Sequence, residues 1–181
     1  MNTNSFAMYG GGCFWCTEAV FGMLRGIVRA EPGYAGGTVA NPTYEQVSSG
    51  TTGHVEVVRI EFDVQQISFE DLLTVFFATH DPTTLNRQGN DVGTQYRSVV
   101  FAYDESQHMA ADTFISKLMD EKRGAPVVTT VEPAPEFYPA EEYHKNYYEQ
   151  HKDQPYCELV INPKLEKVQH QFAVLLKEKT T

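Results

Sequence analysis

Residues 54–62 read HVEVVRIEF, and the architecture turns on how this run is placed. It is rich in β-branched residues, and side chains along an extended chain point alternately to opposite faces. Glu56, Val58, Ile60 and Phe62 therefore share one face, and Val55, Val57, Arg59 and Glu61 share the other. Glu56 is the carboxylate on the more apolar face, close to where the strand leaves its loop. Downstream, Ser68 with Asp71 three residues on is a capping-box pattern, and Leu72, Leu73, Phe76 and Phe77 continue it as a helix. Upstream, residues 36–53 are rich in Gly, Asn, Ser and Thr and read mostly as loop. Residues 27–35, IVRAEPGYA, read as a strand broken by Pro32 and Gly33. Residues 5–11 read as a further strand. Gly10, Gly11 and Gly12 then turn the chain into a helical period from Cys13, with Cys16, Val20, Met23 and Leu24 near one face.

On the far side of the central run, residues 80–95 form a second polar loop, HDPTTLNRQGNDVGTQ. A strand is expected over 96–103, and a helix over 105–122 with Ala111, Phe114 and Leu118 on its stripe. Residues 127–131 form a β-branched strand. After Pro133 the chain is rich in Tyr, His and Glu, with little periodicity until a short helix over about 163–178. This order predicts one α+β domain over 1–181 with its core at about 5–160. The expected form is a two-layer sandwich with helices on a mixed sheet, a ferredoxin-like core and a long irregular C-terminal segment.

Composition narrows the function classes. The chain has 181 residues, 41% of them hydrophobic, which suffices for one core. Its net charge of −10 and lack of a basic stripe argue against nucleic acid as a partner. No apolar run reaches membrane-spanning length. The start, MNTNSFAMYGG, has neither a basic n-region nor an apolar h-region, so a cytoplasmic protein is expected. Three cysteines in that setting do not make a disulfide framework.

The chemistry centres on GGGCFWC, residues 10–16. Glycines before a helix let backbone N–H groups approach whatever sits at its start. Cys13 at the first turn meets the positive end of the helix dipole, which favours a thiolate. Phe14 and Trp15 then form an apolar wall beside it. The same residues also fit a small buried cysteine with core aromatics. Cys13-x-x-Cys16 is a redox pattern, and it is half of a zinc site with no second half in view. Glu56, if buried, is pushed toward its proton-donating form and suits a general acid. At a strand end it would simply reach water. Tyr44 and Tyr96 border the same strand through the two loops and can donate to an oxyanion, or be structural. Asp91 fits a substrate amide or a turn equally well. His54 reads as a hydrogen-bonded structural residue.

These segments resemble the peptide methionine sulfoxide reductases of the A class. The resemblance runs through GCFWCTEAVF, through 33–63, through HDPTTLNRQGNDVGTQYRS at 80–98 and through EFYPAEEYHKNYY at 136–148. It implies reduction of the S epimer of methionine sulfoxide, in proteins or free. It assigns Cys13 as nucleophile, Phe14 and Trp15 as holders of the ε-methyl, and Glu56 as acid with Tyr44 and Tyr96 as its hydrogen-bonding partners. By the same resemblance Asp91 is expected to shape the pocket. The Cys13 sulfenic acid is then resolved by a second thiol, and the disulfide is reduced by an external dithiol, thioredoxin by resemblance. No metal, flavin or nucleotide is implied, and a monomer is expected. The second thiol is open at this point. Cys157 sits near the end of the chain, beside Pro155 and a polar run that suggest mobility, but lacks the glycine-rich tail common in the family. Cys16 is its rival, a relay from Cys16 to Cys157 is a third route, and an external thiol is a fourth. Two other function classes fit the residues alone: a Cys13-x-x-Cys16 thiol–disulfide oxidoreductase, and a binding module for methionine.

Overall fold

A computed structural model describes residues 3–121 and 126–178 of the chain. The strand read from HVEVVRIEF is β3, Val55–Asp63, near the middle of a six-stranded mixed sheet. The other strands are β1 (Asn4–Gly10), β2 (Ile27–Ala35), β6 (Val99–Ala102), β7 (Thr130–Pro133) and β8 (Phe137–Pro139). Their order across the sheet is β7-β6-β1-β3-β2-β8, with only β6 and β7 parallel. Two-residue strands β4 (Arg87–Gln88) and β5 (Asp91–Val92) pair with each other inside the polar loop.

Helices α1 (Phe14–Gly22), α3 (Phe69–Thr79), α4 (Glu105–Glu121) and α5 (Asn162–Gln171) share one core with Val58, Ile60 and Phe62. This is the Glu56 face of β3, as the alternation required. The opposite face is not solvated at its Val55 end. Val55 and Val57 join Met8, Ala35, Val99 and Phe101 in a second, smaller core, with Phe137 packed against it. The helix at Ser68 forms with the expected capping box, Ser68 accepting from the Asp71 N–H and Asp71 accepting in return.

Several boundaries differ from expectation for identifiable reasons. Strand β2 runs through Pro32 and Gly33 unbroken. The Pro32 carbonyl accepts from the Ala140 N–H, so the position of its missing donor faces β8 and costs β3 no bond. Residues 94–96 form a 3₁₀ turn, and β6 starts only at Val99, because Tyr96 and Arg97 donate locally to Gly93 and Thr94. Strand β7 begins at Thr130, since Val128 donates to Pro82 in the polar loop. The C-terminal helix ends at Gln171. The chain beyond it bonds to the α1–β2 connection through Leu175 O to Arg25 N and Lys177 N to Met23 O. Residue 122 of the helix expected over 105–122 lies outside the described residues. A five-residue helix, α2 (Tyr44–Ser48), stands in the segment expected to be loop.

Candidate active site

The turn from β1 into α1 depends on Gly12. Its φ is +96°, and a Cβ there would lie 2.6 Å from the Gln88 side chain. The turn leaves Cys13 as the residue capping α1, but its side chain makes no capping bond. The unsatisfied N–H of Phe14 donates instead to Glu56 Oε2 at 3.1 Å. A carboxyl from the neighbouring strand thus does what a capping side chain usually does. This bond ties the acid to the residue next to the thiol.

Glu56 is 2% exposed. Burial pushes its carboxyl up to about 8, against the Phe14 N–H and with the help of Asp91. It is therefore largely protonated at neutral pH. Cys13 is half-buried. Its thiol is pushed well up, first by desolvation and then by Glu56 and Cys16. The Trp15 N–H and the Tyr156 hydroxyl act the other way. The lowering expected at a helix start is outweighed, because the same packing that builds the site removes the solvent a thiolate needs. Tyr44 and Tyr96 are both half-buried, and burial raises both phenols. Glu56 and Cys13 are among the charges acting on each, so both tyrosines lie within electrostatic reach of the acid and the thiol, and the Tyr44 hydroxyl also bonds with Ser48.

The two aromatics after Cys13 separate. Phe14 is 1% exposed and packs against Tyr34 and His144. Trp15 keeps partial access. Its ring stacks on Tyr147 with centroids 3.6 Å apart, and Tyr156 meets it edge-on. Its indole N–H donates to His144 Nδ1 at 3.0 Å. Asp91 accepts from the Tyr156 hydroxyl at 2.8 Å, and that hydroxyl lies 3.7 Å from Cys16 Sγ. The C-terminal segment therefore forms much of the site. Glu141 accepts from the Tyr44 N–H and the Tyr34 hydroxyl, each at 2.8 Å. Tyr147, Tyr156, His144 and Glu141 had no assigned role in the sequence reading. The signal for them was the aromatic and acidic crowding after Pro133. His54 is structural, accepting from the Gly37 N–H and bonding the Val39 carbonyl.

All three cysteines are free. Cys16 and Cys157 are buried in the main core. Cys157 lies in a π-helical turn, Cys157–Ile161, and is buried. Cys16 is among the groups that raise the Cys13 thiol, and Cys157 is among those that raise the Cys16 thiol. Lys164 works against burial at Cys16 and favours its thiolate. Among the described residues, no group of three or more His, Cys, Asp and Glu is arranged to hold a metal ion. No described helix is long and apolar enough to cross a membrane. A surface cavity of about 530 Å³, lined by Glu18, Met23, Lys145 and Lys177 among others, contains none of the residues just described. The convergence of thiol, neutral acid and phenols marks the site better than cavity size, because it supplies chemistry.

The profile of the family described as "Peptide methionine sulfoxide reductase" matches residues 5–175. Peptide methionine sulfoxide reductase MsrA of Acinetobacter baumannii (strain SDF) is 56% identical over 172 residues, covering 95% of this chain and 98% of that protein. Among solved structures, reduced Mxr1 from Saccharomyces cerevisiae superposes with a TM-score of 0.78 at 31% identity, over 86% of this chain and 90% of that one. Methionine sulfoxide reductase A of Corynebacterium diphtheriae gives 0.73 at 32% identity, over 83% and 76%. With nearly the whole chain matched in sequence and fold, this protein belongs to the peptide methionine sulfoxide reductase A family and is an oxidoreductase.

Proposed function

We propose that the chain reduces the S epimer of methionine sulfoxide, in proteins or free, through a Cys13 sulfenic acid. The observation that carries this reading is the Glu56 carboxyl, buried and largely protonated at neutral pH, bonded to the residue beside Cys13. The sulfoxide methyl rests against Trp15. Its oxygen is received by Glu56, Tyr44 and Tyr96. Hydrogen bonding or protonation there draws electrons from sulfur. Cys13 attacks it, losing its thiol proton. The S–O bond breaks and the oxygen ends on Cys13, so the substrate sulfur is reduced by two electrons and Cys13 is oxidised by two. Asp91 shapes the pocket through Tyr156.

We infer that Cys16 is the first resolving thiol, because it acts electrostatically on Cys13 and is itself acted on by Cys157. In this reading Cys16 condenses with the sulfenic acid and releases water. Cys157 then attacks Cys16 and frees Cys13. Thioredoxin is the external dithiol, a reading supported by the family and by a solved complex of yeast Mxr1 with Trx2. No resident cofactor enters. The free thiols support a reducing, cytoplasmic setting. The path β1-α1-β2-β3-α3-β6, with β6-β1-β3-β2 adjacent in that order, supports a ferredoxin-like core within two layers.

The test is a stoichiometric assay with no external reductant. Reduced enzyme is mixed with excess peptide (S)-methionine sulfoxide, the methionine released per chain is counted and the disulfides are mapped. The relay predicts two methionines per chain and a Cys16–Cys157 bond. One methionine with a Cys13–Cys157 bond would make Cys157 the direct resolver. No methionine would sink the reductase reading, and turnover surviving in Cys13→Ser would remove the thiol mechanism.

A further inference from the structure

Two carboxyls are buried among the described residues, and the reaction uses one of them, Glu56. The other, Glu18, belongs to α1 and is 7% exposed. Its Oε1 accepts the Asn146 N–H at 2.8 Å. Burial pushes the carboxyl up to about 7, while the N–H groups of Asn146 and Tyr147 and the Lys145 ammonium favour its charged form. A buried carboxyl is costly to keep, and Leu or Met would fill the same space on α1 without that cost. Packing alone therefore does not account for the residue.

What Glu18 holds is a reversal of the chain. Asn146 is left-handed, with φ +51°, and leads from the 3₁₀ turn Glu142–His144 into a four-residue helical turn, Tyr147–Gln150. So short a helix does not persist by itself, and the Asn146 side chain makes no capping bond. Glu18 caps it from 128 positions away. The turn begins with Tyr147, whose ring lies on Trp15 with centroids 3.6 Å apart and planes 4° from parallel. Trp15 and Glu18 are three residues apart on α1 and so stand on one side of it. Asn146 and Tyr147 are consecutive. The returning segment thus docks at two neighbouring points, a backbone N–H on the carboxyl and a ring on the indole.

We propose that Glu18 is a positioning residue: its carboxyl caps the Tyr147–Gln150 turn and so fixes the Tyr147 ring on Trp15, which sets the face that the indole offers to a substrate methyl. Glu56 anchors the residue that precedes Trp15, and Glu18 anchors the residue that precedes the ring covering it. The inference deepens the reductase reading and rests on it for its kinetic consequence.

The test uses the reduced full chain, with a peptide containing (S)-methionine sulfoxide as the probe. Glu18→Leu keeps a side chain of similar size and removes both acceptor oxygens. It should raise KM about tenfold and leave kcat within about twofold, since Cys13 and Glu56 keep their places. Glu18→Gln retains one acceptor for the Asn146 N–H and should stay within about threefold of wild type. Trp15 is the sole tryptophan of the chain, so its emission reports the Tyr147 stack directly. Emission should shift to the red and become more open to acrylamide quenching in Glu18→Leu, and stay near wild type in Glu18→Gln. In wild type, the Asn146 and Tyr147 amides should exchange with solvent more slowly than those of Tyr148 and Glu149 in the same turn. This measurement needs no variant, and equally fast exchange at all four would overturn the proposal. So would wild-type KM and emission in Glu18→Leu, a loss confined to kcat, or a Glu18→Gln variant as impaired as Glu18→Leu. The kinetic arm rests on the reductase reading. The emission and exchange arms do not, and should be the same in Cys13→Ser, so failure of either inference is recognisable alone.

Discussion

Glu56 concentrates the conflict between stability and chemistry at a single residue. Its pKa in the folded chain is about 8 against an ordinary 4.5, so the native state holds a proton that the unfolded chain releases. Its contribution to stability is fully present below about 4.5 and is lost as pH rises through about 8. Near pH 7 this costs roughly 3 kcal/mol. Glu56→Gln keeps an acceptor for the Phe14 N–H and carries no charge. It should therefore gain roughly 1–3 kcal/mol over wild type at pH 8 and little at pH 5, as measured by urea unfolding. An equal difference at both pH values would refute the neutral-acid assignment. The same variant should lose about 100-fold or more in kcat/KM, and the fall in wild-type activity as pH rises through about 8 should disappear. Cys13 should stay alkylatable in it. The sequence marked Glu56 because alternation along one strand sufficed to put it on the apolar face. It misread the thiol, because desolvation is a sum over neighbours from several elements and is invisible in GGGCFWC.

Short helices divide cleanly into those that hold the core and those that hold the site. α3 is capped by Ser68 and Asp71. Ser68→Ala should cost about 1 kcal/mol of stability, read as a lowered Tm, with kcat/KM unchanged. α2 carries the same device, Thr43 with Gln46, but it begins with Tyr44. Thr43→Ala should cost a comparable amount locally and also reduce kcat/KM several-fold, since the cap orients the turn that presents the phenol. Equal activity in both variants would detach Tyr44 from the chemistry. The Thr43-x-x-Gln46 signal was legible and was lost among the surrounding Gly, Asn and Ser. Ser68-x-x-Asp71 was recognised because an apolar period followed it. Strand edges were harder to read for a related reason. Residues 94–97 and 128 give their hydrogen bonds to local turns or to a distant loop, and no propensity encodes which partner wins.

For the molecule as a whole, the decisive contact is the return of the C-terminal segment over the helix start. It reaches the site by way of β8, whose register on β2 needs a glycine. A Cβ at Gly33 would lie 2.4 Å from the Phe137 ring and 2.5 Å from the Tyr138 carbonyl. Gly33→Ala should therefore loosen residues 137–147 and lower kcat/KM, while the β1–β3 pairing stays protected. Hydrogen exchange would detect this as faster exchange confined to that segment, and uniform protection would contradict it. The sequence alone determined the central strand, the carboxylate on its apolar face, the capped helix and the glycine turn that delivers Cys13. Each depends on residues within a few positions of one another, where period and turn chemistry act. Only the tertiary structure decided that Glu56 caps α1, that Cys157 comes within electrostatic reach of Cys16, and that Tyr156, Tyr147 and His144 close around Trp15. The hydrogen bonds among them join residues 42, 129 and 140 positions apart, and burial by such distant partners sets both the protonation of the acid and the access to the thiol.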